Sequence, residues 1–225
     1  YPNPKAAPVR LHLEKGGNET GRLTFKARAG QGSEKLVDNY EINGARLASQ
    51  ERGEHRLLYA TRKLSQPVHI SGTPSIRIKV ASSQPAVNLS VWLVSLPWTK
   101  GGRTNDNLIS RGWADPQNHD SPRESEPLVP GEFYELSFDF QPDDQVIPAG
   151  QRIGLMIFSS DKDFTLWPKP GTELTVELGA TSIELPVVGG AKALRRATTP
   201  KRRRLSVPRT PIHYLLPRKA GLGGF

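Results

Sequence analysis

Cysteine is absent from all 225 residues. That rules out a disulfide scaffold, thiol catalysis and any zinc or iron–sulfur site built on thiolates. Methionine occurs once, at Met156, so the chain does not open on an initiator and reads as a processed product, an excised domain or a fragment. No apolar run approaches the ~18–20 residues of a membrane-spanning helix. Acidic residues are missing from the C-terminal stretch. Residues 191–225 hold ten Lys and Arg and no Asp or Glu, which leaves 21 basic against 22 acidic side chains in residues 1–190. The formal charge of +9 therefore sits at the end of the chain. The near-neutral body, at −1, argues against nucleic-acid binding, which would need a basic face of its own.

Long amphipathic helices are also lacking: no long segment repeats apolar residues at i, i+3, i+4 and i+7. What is present is alternation. Three prolines in residues 1–8 favour an extended lead-in. Val9 to Leu13 then alternates apolar and polar, as a half-buried strand does. Residues 26–56 are polar and irregular and read as a long surface excursion. Further strands are expected at Leu57–Thr61, Val68–Ile70, Ile76–Val80, Val87–Val94, Leu108–Trp113, Phe133–Phe140, Ile153–Phe158, Leu174–Leu178 and Ile183–Leu185. Pro130-Gly131, Pro148-Ala149-Gly150 and Pro170-Gly171 punctuate them as turns. Strands without intervening helices exclude a doubly wound α/β sheet. They favour an all-β antiparallel sandwich or jelly roll.

Catalytic motifs are missing as well. There is no Gly-x-Ser-x-Gly, His-Glu-x-x-His, Gly-x-Gly-x-x-Gly or P-loop. The histidines at 12, 55, 69, 119 and 213 are scattered. His119 has Asp115, Asp120 and Ser121 near it, but a stretch so dense in turn formers reads as a polar loop rather than a dyad. Asp143-Asp144 and Asp161-Lys162-Asp163 offer oxygen ligands for Ca²⁺, and read more simply as turn aspartates. No cofactor or metal site is expected. Trp98, Trp113 and Trp167 lie in or beside loops. They fit packing against another domain, or alternatively a sugar-stacking surface.

Residues 191–225 are rich in Arg, Pro, Ala and Gly without alternation, and are expected to be a disordered basic tail. Pro200-Lys201-Arg202-Arg203-Arg204 matches a nuclear-import or polyanion patch, and Arg203-Arg204-Leu205-Ser206 a basophilic-kinase site. The abrupt change of composition also fits translation in a shifted reading frame.

Several stretches together resemble one family. They are Leu64-Ser65-Gln66-Pro67-Val68-His69-Ile70-Ser71-Gly72-Thr73-Pro74, Ala86-Val87-Asn88-Leu89-Ser90-Val91, Ser110-Arg111-Gly112-Trp113-Ala114-Asp115-Pro116 and Pro127-Leu128-Val129-Pro130-Gly131-Glu132-Phe133-Tyr134. The strongest is Val146-Ile147-Pro148-Ala149-Gly150-Gln151-Arg152-Ile153-Gly154-Leu155, continuing through Ser159-Ser160-Asp161-Lys162-Asp163-Phe164-Thr165-Leu166. Leu185-Pro186-Val187-Val188-Gly189-Gly190 closes the match. In order and spacing they resemble the C-terminal domain of the Xaa-Pro dipeptidyl-peptidase family, which includes cocaine esterase and related acyl hydrolases.

The resemblance implies a jelly-roll β-sandwich of the galactose-binding-like kind over residues 1–190. It implies that this domain packs on an upstream α/β-hydrolase domain carrying the Ser, Asp and His of the active site. No catalytic residue can be placed in this chain. The expected role is an accessory domain of a serine peptidase, inactive alone, meeting peptide substrate only through its parent. Trp98, Arg111, Trp113, Asp115 and Trp167 are the candidates for the domain interface or a substrate-facing surface. A stand-alone carbohydrate-binding module is the alternative, marked by two or three exposed, coplanar tryptophans. Localisation is left open, because the family has secreted and intracellular members.

Overall fold

The computed structural model describes residues 1–99 and 106–199. Thirteen strands run in the order β1 (Ala6–Glu14), β2 (Gly21–Thr24), β3 (Ser33–Val37), β4 (Leu57–Ala60), β5 (Val68–Gly72), β6 (Ser75–Ser82), β7 (Leu89–Leu96), β8 (Leu108–Ala114), β9 (Phe133–Asp139), β10 (Asp143–Ile147), β11 (Arg152–Phe158), β12 (Glu173–Glu177) and β13 (Ser182–Val188). Two short helices, α1 (Gly44–Ser49) and α2 (Gly190–Thr198), complete it. The all-β sandwich expected from the alternation is what the chain adopts.

Pairing is antiparallel except where β2 meets β4. The path runs β3-β12-β6-β13-β1-β2-β4-β11-β7-β8, with β9 on β6 and with β5 joining β10 to β13. Alternate residues of the strands face one core. Val9, Leu11 and Leu13 of β1 meet Ile76, Ile78 and Val80 of β6, Leu89, Val91 and Leu93 of β7, Ile153, Leu155 and Ile157 of β11, and Ile183, Leu185 and Val187 of β13. All are buried.

β7 and β11 are apolar on both faces. Their other face, Trp92, Val94, Leu96, Met156 and Phe158, joins Leu58 and Ala60 of β4 in a second core, covered by Leu47 and Ala48 of α1. Strands buried on both sides lose the polar alternation. α1 can lie this close because residue 44 is glycine: a Cβ there would sit 2.3 Å from the Trp92 ring. Asn43 caps the helix, its side chain accepting from the Arg46 N–H at 3.0 Å.

Residues 26–56 are mostly exposed or half-buried, as the composition suggests, but they are not irregular throughout. They supply β3, α1 and buried Leu36, Leu47 and Ala48. Arg56 is fully buried and donates to the carbonyls of Gly17, Glu19 and Gln50 at 2.6–2.7 Å. Burial pulls its pKa down to about 10, still charged at neutral pH. Glu34 accepts from the Gly16 and Gly17 N–H groups and from the Tyr59 hydroxyl. Desolvation, reinforced by Glu34, holds that phenol protonated. Polar side chains here replace apolar ones as the internal ties, so hydrophobic periodicity carries no trace of them.

The tail expectation also changes. Gly189, in the left-handed region at φ 81°, turns the chain into α2, whose Leu194 and Ala197 are fully buried against the first core. Ser65 donates its N–H to the Ala197 carbonyl at 2.7 Å, and the Arg195 guanidinium lies 4.0 Å from the centre of the Phe25 ring. α2 thus packs on the sandwich beyond residue 190. A nine-residue helix whose buried stripe is one leucine and small residues gives little periodic signal. The polyanion-type patch and the kinase-type motif lie outside the described residues. If α2 belongs to the fold, Leu194→Ala should cost about 2–5 kcal/mol of unfolding free energy, read from urea denaturation.

Candidate domain interface

The second core defines a face. On the outer side of β7 and β8, Trp92 stands directly across from Arg111, and Ser90 from Trp113. The Arg111 guanidinium lies between two rings, 4.8 Å from the centre of Trp92 and 4.5 Å from that of Phe164. Trp113 packs on Phe164 at 5.5 Å.

Beneath them sits Asp161, 1% exposed. Its Oδ2 accepts the indole N–H of Trp92 at 2.9 Å and of Trp113 at 3.1 Å. Its Oδ1 is buried without a partner. Desolvation raises the Asp161 pKa, opposed by the two indole donors and by the charge of Arg111. Asp161 is thus a structural anchor rather than a turn aspartate free for Ca²⁺. Among the described residues no group of three or more acidic or histidine side chains could hold a metal ion.

From Asp161 the chain turns outward. The turn is tied by Phe164 and Thr165 N–H groups donating to the Asp161 carbonyl at 2.8 and 2.9 Å. Thr165 Oγ1 accepts from the Asp161 N–H at 3.0 Å. Just before it, Ser160 donates its N–H and hydroxyl to buried Asp38. Asn88 donates to the Leu166 carbonyl, and Trp167 stacks on Tyr40 at 4.8 Å with 12° between planes. This well-held turn nevertheless presents Phe164, Leu166 and Trp167 to solvent at 55%, 89% and 55%. At the far end of the face, a groove of about 770 Å³ lies between Ala45 and Ala48 of α1 and Leu96, Pro97 and Trp98.

The sequence candidates divide accordingly. Arg111, Trp113 and Trp167 belong to this face with Asp161, Phe164 and Tyr40. Trp98 packs against the second core, which Ile42 and Leu108 also flank, and lines the groove. Asp115 stands apart, capping the 3₁₀ turn Pro116–Asn118 by accepting from the Gln117 N–H. His119 packs edge-on against Tyr134 with its Nε2 3.5 Å from Asp120 Oδ2, while Ser121 Oγ accepts from the Arg123 N–H. Asp143 and Asp144 are strand residues of β10, not turn residues, and Asp144 pairs with His69 and Ser71 of β5. Sequence reasoning missed Trp92, Asp161 and Tyr40 as parts of the face. The signal was the doubly apolar character of β7 and β11, which requires something to cover both sides.

Among the described residues, the chain is a β-sandwich with one aromatic, partly uncovered outer face. Comparison with known proteins gives the family. The X-Pro dipeptidyl-peptidase C-terminal non-catalytic domain matches residues 1–205, and the chain belongs to that family. A protein of Rhodopirellula baltica, whose name of Xaa-Pro dipeptidyl-peptidase is itself provisional, is 55% identical over 192 residues, 84% of this chain and 31% of its own. A similarly named Bacillus cereus protein is 34% identical over the same shares. This chain therefore spans about a third of the length of these relatives. An aminopeptidase from a marine sediment Thaumarchaeota archaeon shares the fold, with TM-score 0.67 at 18% identity over 84% of this chain and 38% of its own. The family match runs past residue 190, in keeping with the packed α2.

Because Asp161 has a raised pKa, it binds its proton more tightly when folded. Its contribution to stability is full below the ordinary aspartate range and declines as pH rises through the raised value. Asp161→Asn removes that dependence. The variant should therefore lose less relative to wild type at pH 7 than at pH 4, read from urea midpoints. Asp161→Ala strips two indole donors of their acceptor and should cost about 1–3 kcal/mol at either pH.

Proposed function

We propose that this domain docks through the Arg111–Trp113–Phe164–Trp167 face onto an α/β-hydrolase domain of the same parent chain. There it holds that domain and shapes the approach to an active site that releases Xaa-Pro dipeptides. The carrying observation is the turn at 161–167: it is fixed by hydrogen bonds yet exposes Phe164, Leu166 and Trp167 together. An ordered exposed apolar patch is a mark of an interaction surface. Chemistry is assigned to the partner: where Ser71, His69 and Asp144 meet, the hydroxyl and the imidazole each bond the carboxylate and not each other, and Ser121 Oγ accepts from a backbone N–H beside His119. The family's description as non-catalytic supports this.

The carbohydrate-binding alternative lacks its mark. The Trp113 indole N–H is spent on Asp161, and one face of Trp167 is covered by Tyr40. Each ring is already engaged within the domain, Trp113 also with Phe164.

Release of p-nitroaniline from Gly-Pro-p-nitroanilide tests the reading. The joined protein should turn over substrate, while this chain alone should not and the hydrolase portion alone should be much weaker. Leu166→Glu, which sets a charge in the patch without touching either core, should lower activity of the joined protein at least tenfold and leave the unfolding of this domain unchanged. Turnover by the isolated chain, or full activity of Leu166→Glu, would overturn the proposal.

A further inference from the structure

Arg111 is prepared for a partner that this domain does not supply. Its guanidinium is clamped between the Trp92 and Phe164 rings, so the side-chain entropy that an exposed arginine loses on binding is already lost. Yet it makes no hydrogen bond and no ion pair within 4 Å among the described residues, and its Nε is buried without an acceptor. Asp161 attracts it only through space: its Oδ2 is shared by the two indoles, and its Oδ1, buried without a partner, forms no ion pair with the guanidinium within 4 Å. A planar fork of donors held in place, with its Nε lacking an acceptor, matches the geometry of a carboxylate. The surroundings have the anatomy of an interface anchor: an arginine flanked by Trp92 and Phe164, with Trp113 packed on Phe164, which exclude water once covered.

We infer that Arg111 receives an Asp or Glu carboxylate projecting from the hydrolase domain, and that this pair sets the register in which the two domains meet. The inference rests on the docking reading above. It adds the chemistry of the partner group: an acid, placed at the centre of the patch, accepting two parallel N–H···O bonds. Its worth lies in specificity as much as affinity, since a misplaced partner would leave the guanidinium buried and unpaired.

Arg111→Lys in the joined protein converts the question into a covalent one. A lysine ammonium within reach of a carboxylate forms an amide when a carbodiimide activates the acid; the activated oxygen leaves as the urea and the amine loses its proton. Peptide mass mapping should then find the introduced lysine joined to an Asp or Glu of the hydrolase domain. Arg111→Gln should raise the rate of limited proteolysis between the domains roughly thirtyfold, the low end of the cost of truncating one partner of a desolvated charge pair. Arg111→Lys should recover part of that loss.

Linkage of the introduced lysine only to Asp161, Asp163 or Asp115 would overturn the inference. So would no linkage at all when Lys162 of the same turn does cross-link to the other domain. A rise in KM for a Gly-Pro tripeptide with a free C-terminus, without one for the p-nitroanilide, would overturn it in favour of the substrate's own carboxylate. If neither the introduced lysine nor Lys162 links across and Leu166→Glu retains full activity, the docking reading fails first and takes the inference with it.

Discussion

Burial of β7 and β11 on both faces is the constraint around which this domain is arranged. Strands of a sandwich ordinarily need cover on one side only. Here Trp92, Val94, Leu96, Met156 and Phe158 point away from the main core and still must leave water. α1, the Tyr40–Ile42 segment and the turn after β11 supply that cover, and each is fixed by a specific device. Gly44 lets the helix touch the Trp92 ring, and buried Asp38 holds Ser160. The Asp161 carboxylate ties Trp92 and Trp113 to the turn they shelter beneath. The cover is incomplete at Phe164, Leu166 and Trp167, the part of the face on which the docking proposal rests.

Polar side chains perform much of the work of holding loops in place. Arg56 and Glu34 each satisfy several groups on the loops between β1 and β4. A buried charge is costly unless several bonds compensate it. Arg56 makes three to carbonyls and Glu34 accepts three, which is why a stretch that looks like surface also carries internal ties. Arg111 is the contrasting case. It is flanked by a ring on either side and compensated by no hydrogen bond, which is tolerable in a surface that meets a partner and wasteful in one that does not.

How much was legible in advance depended on the kind of signal. Alternation located β1, β6, β7, β9, β12 and β13 because hydrophobic period maps directly onto one buried face. It could not find β3, whose buried side chain is Leu36 alone with half-buried neighbours, nor α2, whose stripe is mostly small residues. It read Asp143 and Asp144 as turn formers because aspartate is depleted in strands, whereas here Asp144 is retained in β10 by His69 and Ser71 across the pair. For the site, Arg111, Trp113 and Trp167 were named from sequence, but the residues that organise them were not. Trp92 looked like one more strand residue and Asp161 like a turn, since their meeting spans 69 positions of chain.

Composition, period and motif order were enough for the all-β class, the lack of a recognisable catalytic motif and the family, because all three are local properties of the chain. Packing alone settled which side of the sheet is left partly bare and that α2 packs on the first core. It also settled that Arg111 lies clamped and unpaired above a buried carboxylate. The physical reason is that each of these depends on what packs against what across long separations. Exposure and unsatisfied hydrogen bonds are properties of the packed whole and have no counterpart in any one segment of the chain.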